Sequence, residues 1–178
     1  DFIQHQEELY HAYLDFYRHY NRFEDHEKTS SSLVAYYKKA AQEPKLKLPV
    51  AMLEDTVEKM RSLAGFLQIK LSKDMKQDES NYQEKELNIV MSFFKHLIAL
   101  DSNKRVEYYY FRAETNYSVR KFSHAAPNYV QAVTEARVVK NEELARKSLN
   151  SLLALTGMEV LPKDDNRKFL IFAYSEHI

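Results

Sequence analysis

Residues 106–137 read VEYYYFRAETNYSVRKFSHAAPNYVQAVTEAR, and this stretch decides the fold class. Large and small side chains alternate along it: Tyr109, Ala113 and Tyr117, then Phe122 at a turn, then Ala125, Tyr129 and Ala132. On a helix, residues three and four apart share a face. Small residues on that face let two backbones approach, and aromatic rings fill the neighbouring holes. The stretch therefore reads as a helix from Arg105 to about Val119, a turn, and a helix from Ser123 or His124 to about Val138. Pro127 is expected in the first turn of the second helix, where its missing N–H is not needed.

The same spacing recurs on both sides. A first helix is expected from Phe2 to about Arg22, with an apolar stripe of Phe2, Leu9, Tyr13, Phe16, Tyr20 and Phe23. Thr29, Ser30, Ser31 and Ser32 form a run of capping residues ahead of a second helix that carries Leu33, Tyr36, Tyr37 and Ala40. Pro44 and Pro49 bracket a linker, after which Leu53, Val57, Met60, Ala64, Leu67 and Leu71 make a continuous stripe. Gly65 within it is a weak spot, or a point where another helix comes close. Lys73 to Ser80 reads as a connection, and Leu87, Met91, Phe94 and Ile98 define a fourth helix that stops near Asp101. Leu144, Leu149, Leu152 and Leu153 lie on a seventh, with Gly157 as its C-cap, and Phe169 to Tyr174 is assigned as helix. Short loops make consecutive helices antiparallel. The expectation is a single all-α domain over 1–178, a curved stack of antiparallel helical hairpins with seven to eight helices.

Composition supports that reading and excludes several functions. Two glycines in 178 residues cannot supply the turns of a barrel or a phosphate-cradling loop. With 26 basic and 26 acidic residues the chain lacks the positive excess of a general nucleic-acid binder. No stretch approaches the roughly 20 apolar residues of a membrane span, and no signal-peptide pattern opens the chain. The absence of cysteine rules out disulfides and thiolate metal sites. A cytoplasmic location fits these features, and a first residue of Asp1 fits a fragment or a trimmed chain.

Residues 106–137 resemble one tetratricopeptide repeat, a unit of about 34 residues. They depart from it at Arg120, where that family favours a turn glycine, and at Arg137, where it favours a closing proline. Three segments resemble the 14-3-3 family: SSLVAYYKKA at 31–40 its third helix, RVEYYYFRAETNY at 105–117 its fifth, and ARKSLNSLLAL at 145–155 its seventh. That resemblance implies a phosphopeptide groove in which Lys38 or Lys39 supplies a cation and Asn150 clamps the peptide backbone, with Asn166 as a second amide. The Arg-Tyr pair of the fifth helix is Tyr117-Ser118 here, so Arg112 or Arg120 would have to serve instead. Residues 111–146 are similar to bacterial Rap-type regulators, through Phe111-Arg112-Ala113 and the acidic Asn141-Glu142-Glu143.

Few constellations suggest chemistry. Glu8 and His11 have the E-x-x-H spacing of di-iron bundles, but no second copy exists. They share a face with Gln4, Asp15 and Arg18 opposite the apolar stripe, so a solvated polar face is expected. His19 and His26, beside Glu24 and Asp25, read as a surface loop, and His96 as a partly buried, hydrogen-bonded histidine. Ser30 to Ser32 lack an adjacent base motif, and Asp164 and Asp165 read as helix caps. Tyr108, Tyr110, Arg112, Arg120 and Lys121 could form a groove for an acidic or phosphorylated peptide, the other reading being a solvated face with inward aromatics.

The expected function is thus a non-enzymatic adaptor that binds a protein or peptide, phosphorylated or not, in a concave helical groove. Its peptide-binding residues would be Lys38, Lys39, Arg112, Arg120, Asn150 and Asn166. No cofactor, metal, nucleic acid or membrane is expected, and self-association would be a homodimer through the N-terminal helices. A phosphorelay regulator of the Rap type and a metal-binding bundle are the alternatives.

Overall fold

In a computed structural model, residues 2–43, 50–79 and 82–176 are described, with side chains from residue 8 onward. Eight α-helices run through these residues: α1 (Phe2–His19), α2 (Phe23–Gln42), α3 (Val50–Gln77), α4 (Glu84–Leu100), α5 (Arg105–Ser118), α6 (Phe122–Val138), α7 (Glu142–Gly157) and α8 (Lys163–Ser175). No strand occurs among the described residues. The all-α expectation holds, including a helix over Phe169 to Tyr174. The linker bracketed by Pro44 and Pro49 lies outside the described residues.

Contacts divide the chain into two compact units. One comprises Asp1–Lys70 and Gln83–Asp101, the other Leu71–Tyr82 and Ser102–Ile178. The boundary cuts α3, whose last turns belong to the second unit.

In the first unit, α1 and α4 both pack on α2. Leu14, Leu33 and Tyr37 form a buried cluster with Tyr36 and Leu53 against it. The second helix begins at Phe23, well before the serines expected to cap it. Its buried stripe is His26, Ser30, Leu33, Tyr37 and Ala40, alternately four and three apart. The N-terminal half of that stripe is polar, so hydrophobic periodicity does not reveal it.

The first helix is turned around relative to the sequence expectation. His11 and Leu14, 8% and 0% exposed, face inward, while Leu9, Tyr13, Phe16 and Tyr20 are 52%, 44%, 46% and 60% exposed. Polar partners on α3 account for this. Asp55 Oδ2 lies 2.5 Å from His11 Nδ1, and Lys59 Nζ lies 2.5 Å from Asp15 and 3.5 Å from Asp55. Thr56 Oγ1 lies 3.3 Å from both His11 Nε2 and the Tyr37 hydroxyl. Of the expected solvated face, His11 is therefore buried and Asp15 is engaged by α3, while Glu8, Asp15 and Arg18 stay exposed. The outward rings stack along their own helix, with Phe16 and Tyr20 centroids 4.6 Å apart.

The third helix continues to Gln77, through most of the expected connection. A Cβ built at Gly65 meets nothing within 4 Å, so no helix crosses closely there. Gly65→Ala should raise stability by about 0.5–1 kcal/mol, because alanine restricts the unfolded chain and favours helix. Urea denaturation checks this, and a lowered midpoint would contradict it.

In the second unit, α5–α6, α6–α7 and α7–α8 pack as neighbours, and α5 also meets α7 while α6 meets α8. Two layers result, α5 with α7 and α6 with α8. Ala113, Ala125, Ala126, Tyr129, Leu152 and Leu155, each at most 1% exposed, belong to the core between them. The alternation of small and large residues read from 106–137 is this packing. The sixth helix starts at Phe122, so Pro127 falls in its second turn rather than the first. The carbonyl it leaves unbonded belongs to exposed Ser123, where water can serve it. Asp164 and Asp165 lie in the first turn of α8 and complement its N-terminal dipole, whereas Pro162 holds the cap position.

Three connections close in the same way. Asn21, Arg120 and Lys140 have φ of 55°, 59° and 58°. The N–H of the next residue, Arg22, Lys121 or Asn141, donates at 2.8 Å to the carbonyl of Tyr17, Asn116 or Ala136. This is the Schellman arrangement, and it satisfies carbonyls that a helix end leaves open. Arg120, at the place where the repeat family favours glycine, does adopt the left-handed backbone, which costs about 1–2 kcal/mol without glycine. Gly157 ends α7 without being the left-handed cap, a role that falls to Glu159 at φ 53°.

Candidate functional site

The seam between α5 and α7 carries the most organised polar cluster of the second unit. Tyr129 rises from α6, 1% exposed, and its hydroxyl donates to Glu114 Oε1 at 2.6 Å. From α7, the Ser151 hydroxyl donates to the same oxygen at 3.3 Å. Tyr110 sits one turn before Glu114 on α5, with its ring 6.2 Å from that of Tyr129. Burial, and then the neighbouring Glu114 carboxylate, push both phenols above the ordinary tyrosine pKa. Both hydroxyls therefore stay protonated, and that of Tyr129 donates to Glu114.

Glu114 is partly buried, and among the described residues no lysine, arginine or histidine pairs with it. Lys147, the nearest cation on α7, is instead joined to Glu143 at 2.9 Å. The carboxylate is thus held by neutral donors and keeps its net charge. Phe111, 39% exposed, stands beside Tyr110 at 5.8 Å, three residues before Glu114 on α5.

The residues expected to bind peptide fall in both units. Lys38 and Lys39 lie in the first, exposed on α2, with Lys39 3.8 Å from Glu43. Asn150 is exposed on α7, one residue before Ser151. Arg112 is partly buried, its Nε has no hydrogen-bond partner, and burial lowers its pKa from the ordinary arginine value. Arg120 sits in the α5–α6 turn, paired with Glu79. Asn166, in α8, has a buried Oδ1 without a partner. Of the aromatic and basic set read between 105 and 121, Tyr108 is 1% exposed and serves packing, and Tyr110 reaches the seam. Sequence reasoning missed Glu114, Tyr129 and Ser151 as a group. The local signal was the four-residue spacing of Tyr110 and Glu114, but the other donors come from α6 and α7.

The first unit contains a serine–histidine network that sequence motifs did not reveal, because His96 lies far along the chain from Ser31. Ser31 and Ser92 donate to Glu27 Oε1 at 2.8 and 2.6 Å, and Ser31 Oγ lies 2.9 Å from His96 Nε2. A hydroxyl has one proton, so Ser31 accepts from His96 rather than giving its proton to it. The ring therefore does not activate a nucleophile. His96 is partly buried and hydrogen-bonded as expected, and burial lowers its pKa. His26, expected on a surface loop, is 0% exposed inside α2.

A cleft of about 720 Å³ opens beside the α1–α2 turn, floored by Phe23 and Phe66. Its charges pair internally, Arg22 with Asp25, Lys85 with Glu24 and Lys70 with Glu86, each at 2.7 Å. Among the described residues no group of three histidine, aspartate or glutamate side chains is placed to hold a metal ion. No helix among them is long and apolar enough to cross a membrane. Comparison with known proteins gives no matching family model, no matching curated protein and no matching solved structure.

Proposed function

We propose that this chain is a non-enzymatic adaptor that holds a segment of another protein along the α5/α7 face of its second unit. The observation that carries the reading is the seam itself, where side chains from three helices converge on one partly buried polar group. Such preorganisation lowers the ordering cost of binding. Phe111 offers exposed aromatic surface beside it, and the exposed Asn150 amide can both donate to and accept from an extended peptide backbone. Two helices of one layer make a surface suited to an extended or helical segment.

Selection of a displayed random-peptide library on the whole protein tests this. Peptides that bind should lose about tenfold in affinity on Phe111→Glu, and less on Asn150→Ala. Both positions are exposed, so the fold should survive, which circular dichroism verifies. A selection without binders, or binders indifferent to both changes, would overturn the reading.

A further inference from the structure

We infer that Glu114 is the receptor for a basic side chain of the bound segment, an arginine or lysine laid beside Tyr110 and Phe111. The inference rests on the adaptor reading and adds the charge of the ligand to it. A carboxylate taken partly out of water is costly unless its charge is matched. Glu114 receives O–H donors from Tyr129 and Ser151 but no cation among the described residues. Neutral O–H donors fix the carboxylate oxygens in place, so an arriving cation meets an acceptor already aimed. The donors also hold the geometry: Tyr129 is 1% exposed, so its hydroxyl cannot swing away.

The neighbouring rings fit the same ligand. Tyr110 and Phe111 lie one helical turn before Glu114, and aromatic faces attract guanidinium and ammonium groups. Arginine suits the place better than lysine, because it can meet a carboxylate with two N–H groups and stack flat on a ring. A phosphorylated side chain in the same seam would face Glu114 with like charge. Lys147 does not offset this, since it is engaged with Glu143.

The experiment uses peptides from the library selection, labelled and titrated by fluorescence anisotropy at low and moderate salt. The expected result is one arginine or lysine whose replacement by citrulline or norleucine lowers affinity about tenfold. Glu114→Gln, which keeps an oxygen to accept from Tyr129 and Ser151, should cost the same peptide about tenfold, with no further loss when both changes are combined. Both losses should shrink as salt rises. Binders that lose affinity on Phe111→Glu but ignore Glu114→Gln would overturn the basic-side-chain assignment and leave the adaptor reading standing. Selected peptides without a basic residue, or a gain in affinity on phosphorylation next to the seam, would overturn it equally. An empty selection sinks both. If Glu114→Gln fails to fold, the citrulline exchange on the unaltered protein decides alone.

Discussion

Tyr129→Ala should cost the second unit about 3–5 kcal/mol, the range for truncating a buried aromatic ring. The ring is 1% exposed and sits in the core with Ala113, Ala125, Leu149 and Leu152. Alanine there leaves a cavity that close-packed helices cannot collapse to fill. Against a typical total of about 5–15 kcal/mol the loss is severe. Tyr129→Phe should be much milder, about 1.5 kcal/mol, since it keeps the ring and removes only the hydroxyl that donates to Glu114. Urea denaturation followed by circular dichroism separates the two, fitted with allowance for two transitions because the chain has two units. A cost below about 1 kcal/mol for Tyr129→Ala would show that the ring is not a core element.

Stability should also fall as the solution is acidified from neutrality toward pH 4, and His26 should account for about 3 kcal/mol of the fall. Burial drives its pKa down to about 4, opposed by a backbone hydrogen bond, with lesser contributions from Arg18 and Lys59 downward and Asp15 upward. The ring is 0% exposed, meets Ser30 Oγ at 3.2 Å through Nδ1, and presents Nε2 to no partner. The Phe93 ring stands roughly perpendicular to it, with centroids 5.6 Å apart. In the unfolded chain the ring regains a pKa of about 6.5. Above that value both states are neutral and the group has no effect. Below it the unfolded state binds a proton that the folded state refuses, so stability drops by about 1.4 kcal/mol per pH unit until the folded pKa is reached. Denaturation midpoints between about pH 5 and 6.5 isolate the effect from carboxylate titration. His26→Leu should flatten the profile, and an unchanged slope would refute the assignment.

Much of the fold was legible in the sequence because unit 2 places its packing residues near one another along the chain. The Ala113, Ala125 and Ala132 positions mark where helices touch, and the rings of Tyr117 and Tyr129 mark what fills the gaps. Helix α2 was harder, since its buried stripe opens with His26 and Ser30, which no apolar pattern would select. The orientation of α1 was not legible from α1 at all. It depends on Asp55, Thr56 and Lys59 of α3, which draw His11 inward and engage the exposed Asp15, leaving the aromatic stripe outside. The candidate site was half visible for a similar reason. Attention fell on basic residues among the aromatics of α5, while the residue held in the seam is acidic. Glu114 is chemically ordinary until Tyr129 and Ser151 are brought to it from other helices.

The interleaving of the two units has a consequence for synthesis on the ribosome. Once residue 101 has emerged, every segment of the first unit is available, and that unit can fold. The segment from Leu71 to Tyr82 has emerged too, but it belongs to a unit whose helices α5 to α8 do not yet exist. Leu71, 0% exposed in the finished chain, then faces water or a chaperone. At about 5–20 residues per second the wait for residues 102–178 lasts roughly 4–15 s. During that interval Leu71 waits without the unit it belongs to, and the charges around it, Lys73, Asp74, Lys76 and Asp78, keep that end of α3 compatible with water.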